Sequence, residues 1–299
     1  MQIKHKKLLG VVELNNGTLR EVPPMYDLFL NYMFSSREDW ETLRIIVNVF
    51  LSEYKARNPA TDIPLLEGEI VVETQYDYYL SPRKEKRQDM RIASPDNKSV
   101  TYVEFQNRTD TVPPISDRAL LYFSLGLSLM QPDGVSNQIW LLAEDDNELL
   151  VGKAISCFRT LEEEVFTPFP NGSRMMFVSL AQLAETDNVA GELASFLLGS
   201  DIMPKHDVTL CVTERFSRKF ETFKVDKEVK DKMTRADDLI AQGKAEGKAE
   251  GKTEGIILAA LRLLQNGSRP EEVIKNLDLK GYESEVFIER AKEQGLILH

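Results

Sequence analysis

Between Tyr26 and Tyr54, apolar residues recur at three- and four-residue steps: Leu28, Phe29, Tyr32, Met33, then Leu43, Ile46, Val47, Phe50 and Leu51. This is the period of an amphipathic helix. The polar run Ser35-Ser36-Arg37-Glu38-Asp39 divides it into two helices, with Ser36 as N-cap of the second and Asp39 in the capping-box position. Asp27 reads as the N-cap of the first, ahead of a role as a ligand. The pattern then changes. Residues 70–80 are rich in β-branched and aromatic side chains, which favours a strand. Residues 88–93 alternate, Met90 and Ile92 on one face, Asp89 and Arg91 on the other. Residues 99–106 alternate too, Val103 and Phe105 against Tyr102, Glu104 and Gln106. Ser94-Pro95-Asp96-Asn97-Lys98 between them is turn chemistry, so the two runs form a β-hairpin.

Downstream, residues 115–130 form a helix that holds Arg118 and Tyr122 one turn apart. Residues 138–143, 154–159 and 175–180 are short strands, and the run around Trp140 is core. Residues 188–198 and 216–240 are helical. Helix, strands, helix and more strands predict a mixed α/β core over 1–185, followed by a helical extension over 186–242. Residues 243–255 repeat Gly-Lys-Ala-Glu with a four-residue period, as a linker or as a helix. In a helix each glycine costs about 1 kcal/mol against alanine, and like charges four apart oppose each other. The same helix would present a smooth glycine stripe, a route to homo-oligomers through the tail. Residues 256–299 form a small helical segment, in which Ser268-Arg269-Pro270-Glu271 is a capping box.

The hairpin carries the candidate chemistry. With residues 95–98 as its loop, Ile92 faces Thr101, Met90 faces Val103 and Asp89 faces Glu104. Directly opposed Cβ atoms stand about 4.5–5.5 Å apart. Two carboxylates at that spacing repel unless a cation lies between them, and a divalent ion with oxygen ligands fits. Gln106 shares their face, and the Phe105 carbonyl offers another oxygen. Arg83, Lys84, Lys86, Arg87, Arg91 and Arg108 gather positive charge beside the pair, as a phosphodiester backbone requires. Glu73 reads as a solvent-facing strand residue, slightly ahead of a role as a third carboxylate.

Composition narrows the classes. The chain has 299 residues, 48 acidic against 37 basic, and a net charge of −11. That balance opposes a protein that coats nucleic acid by bulk charge, though not a local basic groove. Two distant cysteines and three scattered histidines give no disulfide framework and little support for a Cys- or His-based zinc site. No apolar run approaches the ~20 residues that span a bilayer, and the first residues lack the apolar stretch of a secretory signal. A cytoplasmic protein with no membrane partner is expected. No Walker motif is present, so no nucleotide energy source is implied.

Asp89, fourteen intervening residues, then Val103-Glu104-Phe105-Gln106 resembles the D…(D/E)-x-K core of the PD-(D/E)XK nucleases. The form with Gln in the Lys place resembles the recombination-promoting nuclease family, also described as transposases. That family is similar at further points: an opening helix with an aspartate and aromatics (Tyr26 to Phe29), Arg118 with Tyr122 after the E-x-Q strand, and a late Gly-Lys-Ala-Glu repeat before S-x-x-E helices. The resemblance implies a restriction-endonuclease-like mixed sheet flanked by helices, and a Mg²⁺- or Mn²⁺-dependent endonuclease acting on DNA. Asp89 and Glu104 would be metal ligands, Gln106 would orient the attacking water, and Arg118 would support the site or contact phosphate. Gln88 stands where the motif has Pro, and glutamine carries no charge. A second expectation is therefore a binding or assembly module that keeps the fold without cleavage.

Overall fold

A computed structural model describes residues 9–61, 63–78, 86–108, 111, 113–130, 133–145, 147–150, 152–159 and 172–297. Strands β1 (Gly10–Glu13) and β2 (Leu19–Val22) form a small antiparallel ribbon that the short run Val11-Val12-Glu13 does not announce. Helices α1 (Asp27–Phe34) and α2 (Trp40–Arg57) follow, separated by a 3₁₀ turn over Arg37–Asp39. Neither expected cap forms. Tyr26 holds the N-cap position of α1, and Asp27 is its first helical residue. The Ser36 side chain makes no cap bond. Asp39 is instead buried and accepts from Lys219 Nζ at 2.8 Å, because an ion pair offers more to a buried carboxylate than a frayed helix start does.

Among the described residues, six strands make the central sheet: β3 (Val71–Tyr78), β4 (Lys86–Ala93), β5 (Ser99–Gln106), β6 (Val135–Leu142), β7 (Ile155–Phe158) and β8 (Arg174–Ser179). Their order is β3-β4-β5-β6-β8-β7. The pairs β3/β4, β4/β5 and β7/β8 are antiparallel, while β5/β6 and β6/β8 are parallel. Met90 pairs with Val103 and Ile92 with Thr101, the register set by matching apolar faces.

The parallel step from β5 to β6 needs a crossover, and α3 (Ile115–Ser128) supplies it. Its Ile115, Ala119, Tyr122 and Leu125 join Tyr102, Trp140 and Phe177 in one buried cluster, so α3 covers the face that carries Glu104. Gly126 makes the approach close: a Cβ there would stand 2.7 Å from Ser136 Oγ and 3.0 Å from Tyr102 Cε2. On the other face, Leu51 of α2 lines a cavity of 220 Å³ with Ile92, Thr101, Ile139 and Met176. The result is a mixed α/β fold, a six-stranded mixed sheet flanked by helices.

Short helices α4 (Asn147–Leu150) and α5 (Leu180–Leu183) border the last strands. Helix α6 (Val189–Leu197) is capped by the Asn188 side chain, which accepts from Gly191 N–H. Helix α7 (Asp207–Phe223) sends Phe216, Phe220 and Phe223 against Phe29 at ring-centroid distances of 5.7, 6.1 and 5.2 Å. This aromatic cluster anchors α1.

Contacts divide the chain into two units, Met1–Lys230 and Asp231–His299, with the boundary inside helix α8 (Lys227–Gln265). The Gly-Lys-Ala-Glu repeat is helical, in the interior of α8. Propagating an existing helix costs less than nucleating one. In the second unit the end of α8 packs with α9 (Pro270–Asn276) and α10 (Tyr282–Glu293) around Ile257, Leu261, Val273 and Phe287. Gly267, at φ +90°, ends α8 with the Ser268 N–H on the Leu263 carbonyl. Ser268 is thereby used as a helix stop rather than as a cap; Arg269 precedes α9 and Pro270 opens it. No described helix is long and apolar enough to cross a membrane.

Candidate active site

Pleating puts Asp89 on the same face of β4 that Tyr102, Glu104 and Gln106 occupy on β5. Asp89 lies one step beyond the last paired residues, Met90 and Val103. There the ladder gives way to a side-chain contact: the Phe105 N–H donates to Asp89 Oδ2 at 2.8 Å. In a strand the N–H and C=O of one residue point the same way. The Phe105 carbonyl therefore points toward β4 as well, while the next one, of Gln106, takes the Ala143 N–H at 2.9 Å. Across β3 and β4 the residue level with Asp89 is Gln75, between the Thr74–Met90 and Tyr76–Gln88 pairs, and it takes φ +52°. A non-glycine residue in the left-handed region is strained, and such strain gathers at functional sites.

Glu104 is only 4 % exposed, and its carboxyl hydrogen-bonds to Asp89. Asp89 is half-buried. Burial, the largest cause, pushes the Asp89 carboxyl up to about 6; the Phe105 N–H opposes this, and the charge of Asp27 adds to it. Burial also lifts Glu104 well above the ordinary carboxyl range, with the charge of Asp89 next and Arg118 acting against both. Two titrating carboxyls this close form one coupled acid.

Arg118 reaches down from α3. Its Nη1 donates to Gln106 Oε1 at 3.0 Å, its Nη2 stands 3.9 Å from Glu104 Oε2, and its guanidinium lies 5.3 Å from the Trp140 ring centroid. Trp140 pairs with Glu104 across β5 and β6, and Tyr122 stacks on it with centroids 6.0 Å apart. The Gln106 amide is held at its other end by Nε2, which donates to the Arg108 carbonyl. The opposite amide orientation would set N–H against guanidinium and oxygen against carbonyl, so the chemistry fixes this one.

The structure thus brings together Asp89, Glu104, Phe105, Gln106 and Arg118. It does not bring Arg91 to the pair: its guanidinium donates to Glu73 at 2.5 Å and to Asn97 in the hairpin turn. Glu73 is that partner and not a third acid of the pair. Arg108 is exposed, just past β5, and meets Gln106 through its carbonyl. Lys86 and Arg87 open β4, level with Tyr78 and Asp77. Arg83 and Lys84 lie outside the described residues.

One residue was hidden from the sequence pattern. Asp27, read there as a cap, is exposed as a residue, yet partial desolvation of its carboxyl pushes it up, and it contributes negative charge at Asp89. Asn107 Nδ2 donates to the Met25 carbonyl at 2.9 Å, which moors the start of α1 beside the end of β5. The available signal was an acid set directly among the apolar residues of a helix start.

Among the described residues, no group of three His, Cys, Asp or Glu is placed to hold a metal ion. The donors that are present still suit a hard divalent cation. Mg²⁺ keeps several waters and needs only one or two carboxylates. Asp89, Glu104 and the Phe105 carbonyl form such a set. No family model matches the chain, and no curated protein or solved structure does so either.

Proposed function

We infer that the chain is a divalent-metal-dependent endonuclease that hydrolyses phosphodiesters in DNA, built on a restriction-endonuclease-like core of the PD-(D/E)XK type. The resemblance to recombination-promoting nucleases points to a role in recombination or with mobile elements. One observation carries the reading: Asp89 and Glu104 meet on one face of neighbouring strands, with the Glu104 carboxyl raised by burial and then by the charge of Asp89, and with Arg118 as the cation both of them feel. Such an acidic pair lacks positive charge, and a divalent cation supplies it.

Asp89, Glu104 and the Phe105 carbonyl would hold Mg²⁺ or Mn²⁺. The bound ion supplies a nucleophilic water at neutral pH and offsets charge on the reacting phosphate. The chain's own groups do the rest. The Phe105 N–H fixes the rotamer of Asp89. Asp27 adds negative charge at Asp89 and so favours the cation-bound form. Arg118 meets the negative phosphate from the α3 side, braced against Trp140. Basic residues of the 83–87 run are assigned to the DNA backbone in this reading, which would offset the net charge of −11 locally.

A second reading rests on a different observation. The Gln106 amide is bonded at both ends, to Arg118 and to the Arg108 carbonyl. A site without a group for the attacking water suits a protein that binds DNA and does not cut it. Supercoiled plasmid with Mg²⁺ or Mn²⁺ separates the two. Wild type should nick the plasmid, and Asp89→Ala and Glu104→Ala should each lower nicking at least ~100-fold. DNA binding with no nicking under either metal would establish the second reading.

A further inference from the structure

We propose that Gln106 works as a positioning residue for Arg118, and that Arg118 is the cation that touches the phosphate. The inference rests on the nuclease reading and departs from it at one residue, since the resemblance gives Gln106 the water.

A water-orienting glutamine keeps an amide group free toward the reacting centre. Gln106 instead gives its oxygen to the Arg118 guanidinium at 3.0 Å and an N–H to the Arg108 carbonyl. Its place at the end of β5, two residues past Glu104, puts it on the same face as the acidic pair. The guanidinium is then held by the Gln106 oxygen, by Tyr122 and by the Trp140 ring 5.3 Å away. This leaves the Nη2 end aimed at Glu104, at 3.9 Å, longer than a well-formed ion pair. Donors on that side are poised for an anion that arrives between Arg118 and the carboxylates.

Charge explains why residue 106 is an amide. A lysine there would place an ammonium against the guanidinium and drive Arg118 off Trp140. A glutamate would bind Arg118 by charge and draw it from the substrate. Glutamine accepts the hydrogen bond and leaves the positive charge uncompensated. The charge that lysine brings along the strand in the D…(D/E)-x-K motif is delivered here from the crossover helix.

The test uses the full-length chain with Gln106→Met, Arg118→Met, the double variant and Gln106→Lys. The first readout needs no cleavage. Plasmid-length DNA is titrated over a range of NaCl with Ca²⁺ in place of Mg²⁺, and log K is plotted against log salt. One phosphate contact accounts for a slope of about 0.9. Arg118→Met and Gln106→Met should each flatten the slope by about that amount, and the double variant no further. A wild-type slope in Gln106→Met overturns the positioning role and leaves the nuclease reading intact.

The second readout is nicking with Mn²⁺. Both single variants should lose at least ~10-fold in rate, the double variant should match Arg118→Met, and Gln106→Lys should fall with them. Full activity in Gln106→Lys, or additive losses in the double variant, overturns the proposal. If the wild-type chain never nicks while the slopes behave as stated, the nuclease reading fails and the Gln106–Arg118 coupling stands. Emission from Trp140 in a Trp40→Phe background gives the third readout. It should shift in Gln106→Met as the guanidinium leaves the ring; an unchanged spectrum counts against the proposal.

Discussion

Glu104 faces Asp89 from the next strand, and after burial itself the charge of Asp89 is the strongest influence keeping the Glu104 carboxyl protonated. Asp89 surrenders its proton at about 6. A carboxyl is ordinarily ionised by pH 5. The pair therefore carries protons in the folded chain under conditions where the unfolded chain has lost them, and folding is linked to pH in a definite direction.

Stability of the metal-free protein should fall as pH rises. Both folded-state values lie above the ordinary ones, so the folded state holds more protons from about pH 4 upward through the Asp89 value of about 6 and beyond it for Glu104. The stabilising protonation is complete below the unfolded value and is lost as pH climbs through the folded one. Glu104→Gln keeps the shape and removes the titration. It should raise stability at pH 8 relative to wild type and change little at pH 4.5. Urea melts at the two pH values in EDTA check this, and a destabilised Glu104→Gln at pH 8 would contradict it.

Cation binding should run the other way. Mn²⁺ must displace the protons on Asp89 and Glu104, so its affinity should increase from pH 5.5 to pH 8. Calorimetric titrations in two buffers of different ionisation enthalpy should show release of up to one proton at pH 7. Asp89→Asn should weaken binding at every pH. A pH-independent affinity would mean that the ion sits elsewhere.

Lys219 on α7 holds Asp39 at 2.8 Å, where the Asp39 side chain is 6 % exposed. Lys219→Met strands that carboxylate. A loss of about 2–4 kcal/mol is expected in chemical denaturation. Lys219→Met with Asp39→Leu should recover most of it, because neither charge then remains buried.

Gly126 sets how closely α3 approaches the sheet. Gly126→Ala would press a methyl against Ser136 Oγ and the Tyr102 ring. The helix must shift outward, at about 1–3 kcal/mol. Arg118 rides on the same helix, so nicking should fall even where the protein remains folded. The thermal melt and the plasmid assay on one preparation separate the two effects.

Phe216 packs with Phe29, Phe34 and Phe196 and is fully buried. Phe216→Ala should cost about 3–5 kcal/mol. It should loosen α1 and with it the Asp27 charge beside Asp89, an effect visible as a lowered Asp89 titration in NMR of the side-chain carboxyl.

The strands and their register were legible because alternation has a period of two and one face must be buried. Matching Met90 with Val103 and Ile92 with Thr101 forces Asp89 to stand level with Glu104. The helices over 27–57 and 115–128 follow from their apolar spacing in the same way. The caps were misread because a cap competes with any stronger partner, and Lys219, 180 residues away, is one. The basic cluster was only partly resolved into roles. Arg91 sits beside Asp89 in sequence, yet its guanidinium is engaged by Glu73 on the adjacent strand.

The sequence by itself determined which acids share a face, since side-chain direction along a strand is a local property of the pleat. Only the tertiary structure decided their company. Arg118 comes from a crossover helix, Trp140 from a parallel neighbour and Asp27 from the first helix, each brought in by packing between segments that local spacing cannot rank. Burial then raised the carboxyls, and burial belongs to the folded chain as a whole.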